Sequence, residues 1–246
     1  MTTHDASELR ALHVPGSPLV LPNVWDAASA RAVHEAGFPA VATSSAAVAR
    51  VLGYDDGEQT PVGEMMAAIA RIARVVDVPV TADVERGYRL KPAELAARLA
   101  EAGAVGCNLE DSLAGGGEMV DPGEQAEFLA EVRAAAGDAL VINARIDIYL
   151  GGPASRQEAV ARGRRYLEAG ADCVYPIGLG DEDEIRALVG EVGGPVNIYF
   201  RPGMHDLARL AEIGVARVSF GSGPHEATYA YAQSLFEKVR QGHDPF

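Results

Sequence analysis

The amino-acid sequence predicts an α/β protein, a (β/α)8 TIM barrel that residues 1–246 form as a single domain. Apolar residues make up 48% of the 246 positions, close to the average for globular proteins, so the chain can bury a large core. Short apolar segments alternate with helical ones, and a phrase that ends in glycine recurs along the chain. Eight strand–helix units in about 250 residues match the dimensions of a closed barrel. An open doubly wound parallel sheet is the alternative.

The recurring phrase is a glutamate, an alanine or isoleucine, and a glycine, followed by a short apolar run. It occupies residues 35–37, 101–103, 168–170 and 212–214. Glycine readily adopts the left-handed conformation that ends many helices. Each copy therefore predicts a helix end followed by a strand.

The sequence predicts eight strands, and the phrase precedes every second one. Their centres lie near Leu21, Ala42, Thr81, Cys107, Ile142, Tyr175, Ile198 and Val218. The segments between them, such as 98–100, 128–132 and 185–189, carry apolar residues at the spacing of helices. Strands that alternate with helices in this way form parallel sheets that are buried on both faces.

The chain is acidic and contains few cysteines. It has 21 Lys and Arg against 35 Asp and Glu, a net charge of −14, which repels nucleic-acid phosphates and anionic lipid surfaces. No nucleic-acid or membrane partner is therefore expected. Cys107 and Cys173 cannot form a framework of several disulfides, and we identify neither a membrane-spanning stretch nor a signal peptide. These features predict a cytoplasmic protein.

Polar side chains follow the third, fourth and fifth predicted strands, at the strand ends where (β/α)8 barrels hold their active sites. Side chains alternate along a strand, so residues two apart share a face. The residues grouped in this way are Asp83 with Glu85, Asn108 with Glu110, and Asn143 with Arg145 and Asp147. The sequence therefore predicts several carboxylates and one guanidinium at one mouth of the barrel.

Carboxylates that crowd together repel, and a bound divalent cation relieves that repulsion. Mg²⁺ fits because it takes oxygen ligands, keeps several waters and uses few direct carboxylates. We expect Arg145 to hold the carboxylate or phosphonate of an acidic substrate through paired hydrogen bonds. The alternative is that the acids pair with Arg86, Arg89 and Arg145 or cap the following helices.

Three further segments carry weaker signals. Residues 43–46 offer hydroxyls and amides to an anion, or cap a helix. Residues 219–223 are similar to the glycine-containing phosphate loops of many barrels. Residues 115–117 predict a loop that closes over a site, with a plain surface turn as the alternative. His205 is expected to be structural or solvated.

Five motifs follow one another along the chain in a specific order. They are Leu21–Asp26 (LPNVWD), Gly53–Asp56 (GYDD), Asp83–Tyr88 (DVERGY), Leu109–Asp111 (LED) and Asn143–Arg145 (NAR). Their combination resembles the isocitrate lyase/phosphoenolpyruvate mutase superfamily, from Leu21 to Ser222. The resemblance implies a (β/α)8 barrel that depends on Mg²⁺, with Mn²⁺ as the alternative cation, and that acts on small 2-oxo or related acids. It also implies a homodimer or homotetramer that exchanges its C-terminal helix between subunits.

The resemblance implies a metal site made of carboxylates. Asp83 matches the principal metal ligand, and Glu110 matches the outer metal carboxylate. Glu85 stands where the family usually has a second aspartate, so we expect it to bind the metal directly or through water. Asp56 matches a catalytic acid that contacts metal-bound water.

The resemblance also implies a substrate site beside the metal. Ser44 and Ser45 match the segment that holds the substrate carboxylate, and Arg145 matches the arginine that binds the substrate's anionic end. Asn197 is a weaker match to an asparagine that some lyases use for substrate.

Family features that are missing here narrow the expected chemistry. The lyases of the family carry a catalytic cysteine in the loop after strand four, where residues 111–118 read DSLAGGGE. The mutases have a longer gating loop with lysine and asparagine, and their histidine after strand six is replaced around 176–178. Decarboxylation of an oxaloacetate-like acid needs no base to start bond cleavage, so it is the reaction least affected by these losses.

The sequence thus predicts a Mg²⁺-dependent lyase or decarboxylase that cleaves a carbon–carbon bond of a small 2-oxo or 2-hydroxy acid through a metal-stabilised enolate. Cleavage with another base and phosphoenolpyruvate/phosphonopyruvate mutase-type chemistry at a phosphorus–carbon bond are alternatives. The others are a barrel that binds a small acid without turning it over, and an unrelated isomerase that uses Gly221–Gly223 to bind phosphate.

Overall fold

A computed structural model of the chain describes residues 5–113, 118–151, 154–204 and 206–246. Strands and helices alternate along these residues. The strands are β1 Leu19–Leu21, β2 Asn23–Val24, β3 Val41–Thr43, β4 Val80–Asp83, β5 Gly106–Glu110, β6 Val141–Ile146, β7 Cys173–Pro176, β8 Asn197–Tyr199 and β9 Arg217–Ser219. The helices are α1 Ala6–Ala11, α2 Ala27–Glu35, α3 Ser45–Leu52, α4 Val62–Ala73, α5 Pro92–Glu101, α6 Pro122–Ala136, α7 Arg156–Glu168, α8 Glu182–Val192, α9 Leu207–Ile213 and α10 Gly223–Arg240, with a short 3-10 turn at Gly137–Ala139.

The strands have the parallel order of the predicted (β/α)8 barrel. Hydrogen bonds join β2-β3-β4-β5-β6-β7 in one sheet and β1-β9-β8 in another. The pairing of Val174 with Val196 links β7 to the start of β8. β1 and β2 are the two halves of the predicted first strand, interrupted at Pro22, which has no N–H to donate. The chain itself therefore joins the two sheets at Pro22.

Asn23 fastens this join with its side chain. Its Nδ2 donates to the Thr43 carbonyl at 2.8 Å. Its Oδ1 accepts from the backbone N–H groups of Phe220, at 2.7 Å, and Gly221, at 2.9 Å. The Asn23 side chain thus connects β3 to the segment that follows β9.

The recurring glycine phrase has the predicted conformation in all four copies. Gly37, Gly103, Gly170 and Gly214 have φ values of 86°, 80°, 103° and 98°. In each copy the glycine follows a helix and precedes a strand, so it ends the helix without the steric cost that a side chain would add.

Helix α1 covers the amino-terminal end of the barrel. Leu9 is fully buried, and a Cβ placed on Gly106 at the start of β5 would lie 2.7 Å from its Cδ2 atom. Leu9 packs in a cluster with Leu19, Leu21 and Val141. The opposite end, where the strands finish, is the end that carries the polar residues.

Among the described residues, no helix is long and apolar enough to cross a membrane.

Candidate active site

The predicted acids and arginine meet at the carboxyl ends of three neighbouring strands. Asp83 ends β4 and pairs in register with Asn108 of β5. Glu110 ends β5 and pairs in register with Arg145 of β6. Register partners on adjacent strands project to the same side of a sheet, which explains why alternation along each strand predicted this grouping.

Asp83 has one carboxylate oxygen engaged and one free. Oδ2 accepts from the Ser45 backbone N–H at 3.1 Å and from the Ser45 hydroxyl at 2.8 Å. Oδ1 is buried and has no hydrogen-bond partner. The Asp83 backbone N–H donates to the Thr43 hydroxyl at 2.8 Å, which fixes the residue's position. A buried carboxylate oxygen that lacks a donor is a suitable ligand for a hard cation such as Mg²⁺.

Arg145 is held between two carboxylates. Its Nη1 lies 2.6 Å from Glu110 Oε2, while Nε and Nη2 donate to the two oxygens of Asp147 at 2.6 and 2.9 Å. Burial raises the pKa of Glu110, and the positive charge of Arg145 opposes that rise. The Arg145 guanidinium therefore neutralises part of the acid cluster in this structure.

Glu85 uses both of its carboxylate oxygens inside the protein. Oε1 accepts from the Tyr88 hydroxyl at 2.8 Å, and Oε2 accepts from the Glu58 backbone N–H at 2.6 Å. The Tyr88 backbone N–H in turn donates to Glu58 Oε1 at 2.6 Å. Burial raises the pKa of Glu85 to about 7, although the Tyr88 hydrogen bond lowers it. The arrangement connects the end of β4 to the turn that carries Asp56.

This connection depends on an unusual backbone. Glu58, Glu85 and Tyr88 have φ values of 58°, 52° and 55°, in the left-handed region that glycine normally occupies. Each such residue costs roughly 1–2 kcal/mol, and backbone strain of this kind concentrates at functional sites. No local sequence signal marks these positions, so sequence reasoning missed the contact.

Asp56 lies at the rim of the mouth. Partial burial of its carboxyl raises its pKa first, and the negative charge of Asp83 raises it further. Hydrogen bonds from Gly57 and Ser45, together with the charge of Arg145, lower it. Asp56 therefore lies near Asp83 and near Ser45, whose hydroxyl donates to Asp83.

Ser44 and Asn197 have structural partners. The Ser44 hydroxyl caps helix α3, accepting from the Ala47 backbone N–H at 3.4 Å. Asn197 is fully buried, and its side chain exchanges hydrogen bonds with the Ser219 hydroxyl at 3.0 and 3.1 Å. Their predicted roles in substrate binding stay predictions.

A buried network behind Arg145 connects the site to α7. The Asp147 backbone N–H donates to Asp111 Oδ1 at 2.8 Å. Asp111 Oδ2 accepts from Arg162 Nη1 at 3.1 Å and from the Tyr166 hydroxyl at 2.7 Å. Sequence reasoning missed this positioning role, although two buried polar side chains four residues apart on one helix were a signal for it.

The weaker sequence signals have structural explanations where the structure describes them. The backbone N–H groups of Phe220 and Gly221, at the start of the glycine-containing loop, already donate to Asn23. Cys107 and Cys173 are fully buried, and burial raises the pKa of both thiols to about 12. Residues 115–117 and His205 lie outside the described residues.

Two of the predicted metal ligands are held by protein partners, Glu110 by Arg145 and Glu85 by Tyr88 and Glu58. Within residues 5–113, 118–151, 154–204 and 206–246, no group of three or more His, Cys, Asp or Glu side chains could hold a metal ion as arranged. The Asp83 Oδ1 atom nevertheless fits a Mg²⁺ ion, which needs only one or two direct carboxylates and completes its shell with water and substrate.

Comparison with known proteins gives consistent matches over most of the chain. The family model described as phosphoenolpyruvate phosphomutase matches residues 9–240. An uncharacterised protein of Mycobacterium tuberculosis is 37% identical over 243 residues, which cover 98% of this chain and 90% of the relative. The oxaloacetate decarboxylase of Pseudomonas savastanoi pv. phaseolicola is 31% identical over 211 residues, which cover 80% of this chain and 70% of the relative.

A solved structure matches the fold over nearly all of both chains. It is a protein of Burkholderia cenocepacia J2315, provisionally described as a phosphonomutase, with a TM-score of 0.88 and 42% sequence identity. The match covers 95% of this chain and 99% of the other.

Proposed function

Because the chain belongs to the phosphoenolpyruvate phosphomutase family, we propose that it is a divalent-cation-dependent carbon–carbon lyase, with decarboxylation of an oxaloacetate-like acid as its reaction. The observation that carries the proposal is the buried, unpartnered Asp83 Oδ1 on the strand next to the Glu110–Arg145 pair. A free carboxylate oxygen near a guanidinium suits a cation together with the carboxylate of a bound acid. Similarity to an oxaloacetate decarboxylase supports this reaction class.

Asp83 and Glu110 are the proposed direct ligands of Mg²⁺ or, alternatively, Mn²⁺. Glu85 is proposed to act through a water molecule, since both of its oxygens already accept hydrogen bonds. When bound, the cation supplies positive charge that stabilises the negative charge developing on the 2-oxo oxygen as the carbon–carbon bond breaks.

Arg145 is the proposed anchor for the substrate's carboxylate. If Glu110 turns to the cation, Arg145 Nη1 loses its present partner, while Asp147 continues to hold Nε and Nη2. The guanidinium then offers N–H groups to a carboxylate from a fixed position. Ser44, Ser45 and Asn197 are proposed to complete the substrate site, and Asp56 to hold a water molecule at its rim.

Phosphonomutase chemistry is the second candidate. The provisional description of the 42% identical Burkholderia protein favours it, and the same cation and arginine suit a phosphonate. The enzymes among the relatives make the non-catalytic barrel the weaker alternative.

The function is tested by incubating the protein and Mg²⁺ with C4–C7 2-oxo and 2-hydroxy diacids and with phosphonopyruvate, following products by NMR. A 2-oxo acid product that disappears with EDTA supports the lyase. Phosphoenolpyruvate formed from phosphonopyruvate supports the mutase instead. If no acid in this panel is converted, the proposed decarboxylase reaction is wrong.

Two matched variants connect the activity to the site. Asp83→Asn should abolish turnover and Mg²⁺ binding. Asp77→Asn changes an exposed carboxylate that pairs with His34, and it should leave both unchanged. Retained Mg²⁺ affinity in Asp83→Asn would remove Asp83 as the principal ligand.

We also propose that residues 1–246 act as one catalytic domain in the cytoplasm, as a homodimer or homotetramer on small-molecule acids.

A further inference from the structure

Tyr175 lies inside the barrel beside the proposed substrate anchor. It pairs in register with Arg145, just as Cys173 pairs with Asn143. The Asn143 side chain donates to Asn108, and Arg217 of β9 also reaches Asn108, from across the barrel. This side of the sheet is therefore the barrel interior, and Tyr175 projects into it at the level of Arg145. The tyrosine is only 3% exposed.

The Tyr175 hydroxyl has no hydrogen-bond partner among the described residues. Three other tyrosines do have one: Tyr166 donates to Asp111, Tyr88 to Glu85 and Tyr54 to Glu64. In the described part of the chain, the hydroxyl of Tyr149, which follows β6, is also without a partner. A phenol hydroxyl that lacks a protein partner beside a binding site is available to a bound ligand.

The electrostatic surroundings keep this hydroxyl protonated. Burial raises the pKa of Tyr175, the positive charges of Arg145 and Arg217 lower it, and the negative charge of Asp83 raises it. The result is a neutral phenol near neutral pH, close to both Asp83 and Arg145. Such a group can donate a hydrogen bond or a proton to a ligand held between them.

Resting on the proposed decarboxylase function, we infer that Tyr175 is a catalytic residue whose hydroxyl donates the proton to C3 of the enolate after carbon dioxide leaves. The C3–C4 bond breaks, carbon dioxide departs, and the electron pair forms the enolate of the shortened 2-oxo acid. C3 then takes the hydroxyl proton of Tyr175, and the phenolate recovers a proton from water. The step consumes no other reagent.

Neighbouring acids are less suited to this step because they have other partners. Glu110 pairs with Arg145, and Glu85 accepts from Tyr88 and from Glu58. The thiol of Cys173 lies on the same strand, two residues nearer the closed end of the barrel. Tyr175, by contrast, combines a free donor with a place in register with Arg145.

The stereochemistry of protonation tests this role. With 3-methyloxaloacetate in D₂O, the wild-type protein should give a single enantiomer of 3-deutero-2-oxobutyrate, trapped by immediate reduction. Tyr175→Phe should give a nearly equal mixture and a kcat lower by about 10²-fold, the usual loss when a general acid is removed. Tyr54→Phe removes a hydroxyl that donates to Glu64 instead and serves as the control. A racemic product from the wild type, or a single enantiomer from Tyr175→Phe, would overturn the inference.

Oxalate binding separates a failure of this inference from a failure of the proposed function. Oxalate is a planar mimic of the enolate, and its affinity in the presence of Mg²⁺ can be measured by calorimetry without turnover. Losing one hydrogen bond to a charged ligand should weaken binding about tenfold in Tyr175→Phe, while Tyr54→Phe keeps the wild-type affinity.

If the wild type binds oxalate but converts no 2-oxo acid, the decarboxylase proposal fails and the oxalate affinities decide whether Tyr175 donates to a bound acid. Equal affinities in the wild type and Tyr175→Phe would remove that role. If the wild type neither binds oxalate nor turns over any acid, both proposals are wrong.

Discussion

At the scale of single residues, Glu85 is the clearest case of a side chain whose surroundings modify its expected role. The motif places it among the metal ligands, yet its two oxygens accept from the Tyr88 hydroxyl and the Glu58 backbone N–H. A carboxylate with two short donors loses those hydrogen bonds if it moves onto a cation. We therefore expect Glu85 to act on the bound cation through a water molecule and not as a direct ligand.

The first prediction compares Glu85 with Asp83 in Mg²⁺ binding. Glu85→Gln should lower the Mg²⁺ affinity by about ten- to hundredfold, the usual cost of losing a group that orients a ligand. Asp83→Asn should remove measurable binding, because it alters the ligand itself. Isothermal calorimetry measures both. Equal loss in the two variants would show that Glu85 binds the cation directly.

The second prediction concerns His13, which is buried near the closed end of the barrel. It is 7% exposed, and its Nδ1 lies 2.9 Å from the Leu9 carbonyl oxygen. Burial, and next the charge of Arg217, lowers the pKa of His13 from its usual 6.5 to about 4. The unfolded chain therefore takes up a proton near pH 6.5, whereas the folded protein resists until about pH 4.

This shift makes part of the free energy of unfolding depend on pH. The contribution of His13 is fully present above pH 6.5, declines as the pH falls and levels off below about pH 4. Between pH 7.5 and pH 5 it should decrease by about 2 kcal/mol. Urea unfolding at the two pH values measures the change, and His13→Leu should show a correspondingly smaller one. The same pH dependence in both proteins would contradict the assignment.

The sequence predicts part of the candidate site for a simple physical reason. Asp83, Glu110 and Arg145 lie at strand ends, and alternation along neighbouring parallel strands brings them together without any knowledge of loops. The contact of Glu85 with Glu58 could not be predicted, since it requires left-handed backbone at residues other than glycine. Tyr175 also lacks a local signal, because an aromatic residue in a buried strand is typical of a core.

At the scale of elements, strand positions were predictable because strands and helices differ in periodicity. All eight predicted strands are present, since each is a short apolar run bounded by a glycine, proline or aspartate. The break at Pro22 divides the first of them into β1 and β2. The pairing across this break depends on the Asn23 side chain, and a contact between residues about 200 positions apart cannot be read from a local pattern.

The third prediction tests how tightly α7 packs. A Cβ placed on Gly163 would lie 2.6 Å from Val192 Cγ2, at the end of α8, and 3.6 Å from Ile146 Cδ1. The crowding should outweigh the better helix propensity of alanine, so Gly163→Ala should lower the free energy of unfolding by about 1 kcal/mol. Thermal or urea unfolding measures the change.

Two further variants show whether crowding is the cause. Gly190→Ala lies within α8 with no atom within 4 Å of its Cβ, so it should raise the free energy of unfolding by about 0.5–1 kcal/mol. Adding Val192→Ala to Gly163→Ala should give a double variant about 1 kcal/mol more stable than the sum of the single effects. Additive effects would exclude the predicted clash.

At the scale of the whole molecule, helix α10 leaves apolar side chains uncovered in the single chain. Tyr231, Phe236 and Val239 are 66%, 69% and 58% exposed. Apolar patches on one element are typical of surfaces that associate. The predicted exchange of this helix between subunits would cover them.

The fourth prediction is therefore an oligomer that depends on α10. Light scattering should give a mass of two or four times the 25.8 kDa of one chain. Phe236→Lys combined with Val239→Lys should reduce it to a single chain, whereas Glu127→Lys on α6 should not. A wild-type mass of 25.8 kDa would contradict the prediction.

Among the described residues, the backbones of the two sheets meet at the break at Pro22 and at the Val174–Val196 bridge. Asp83, Glu110, Arg145 and Tyr175 all lie on strands of the six-stranded part, between those two places. Local opening of the pairing at either place would expose β1, β8 and β9 to solvent. The distances among Asp83, Glu110 and Arg145 would not change, because the strands that carry them remain paired with one another. The proposed reactive groups therefore lie on the continuous six-stranded part, away from the places where the Asn23 side chain and the Val174–Val196 pairing help to close the ring.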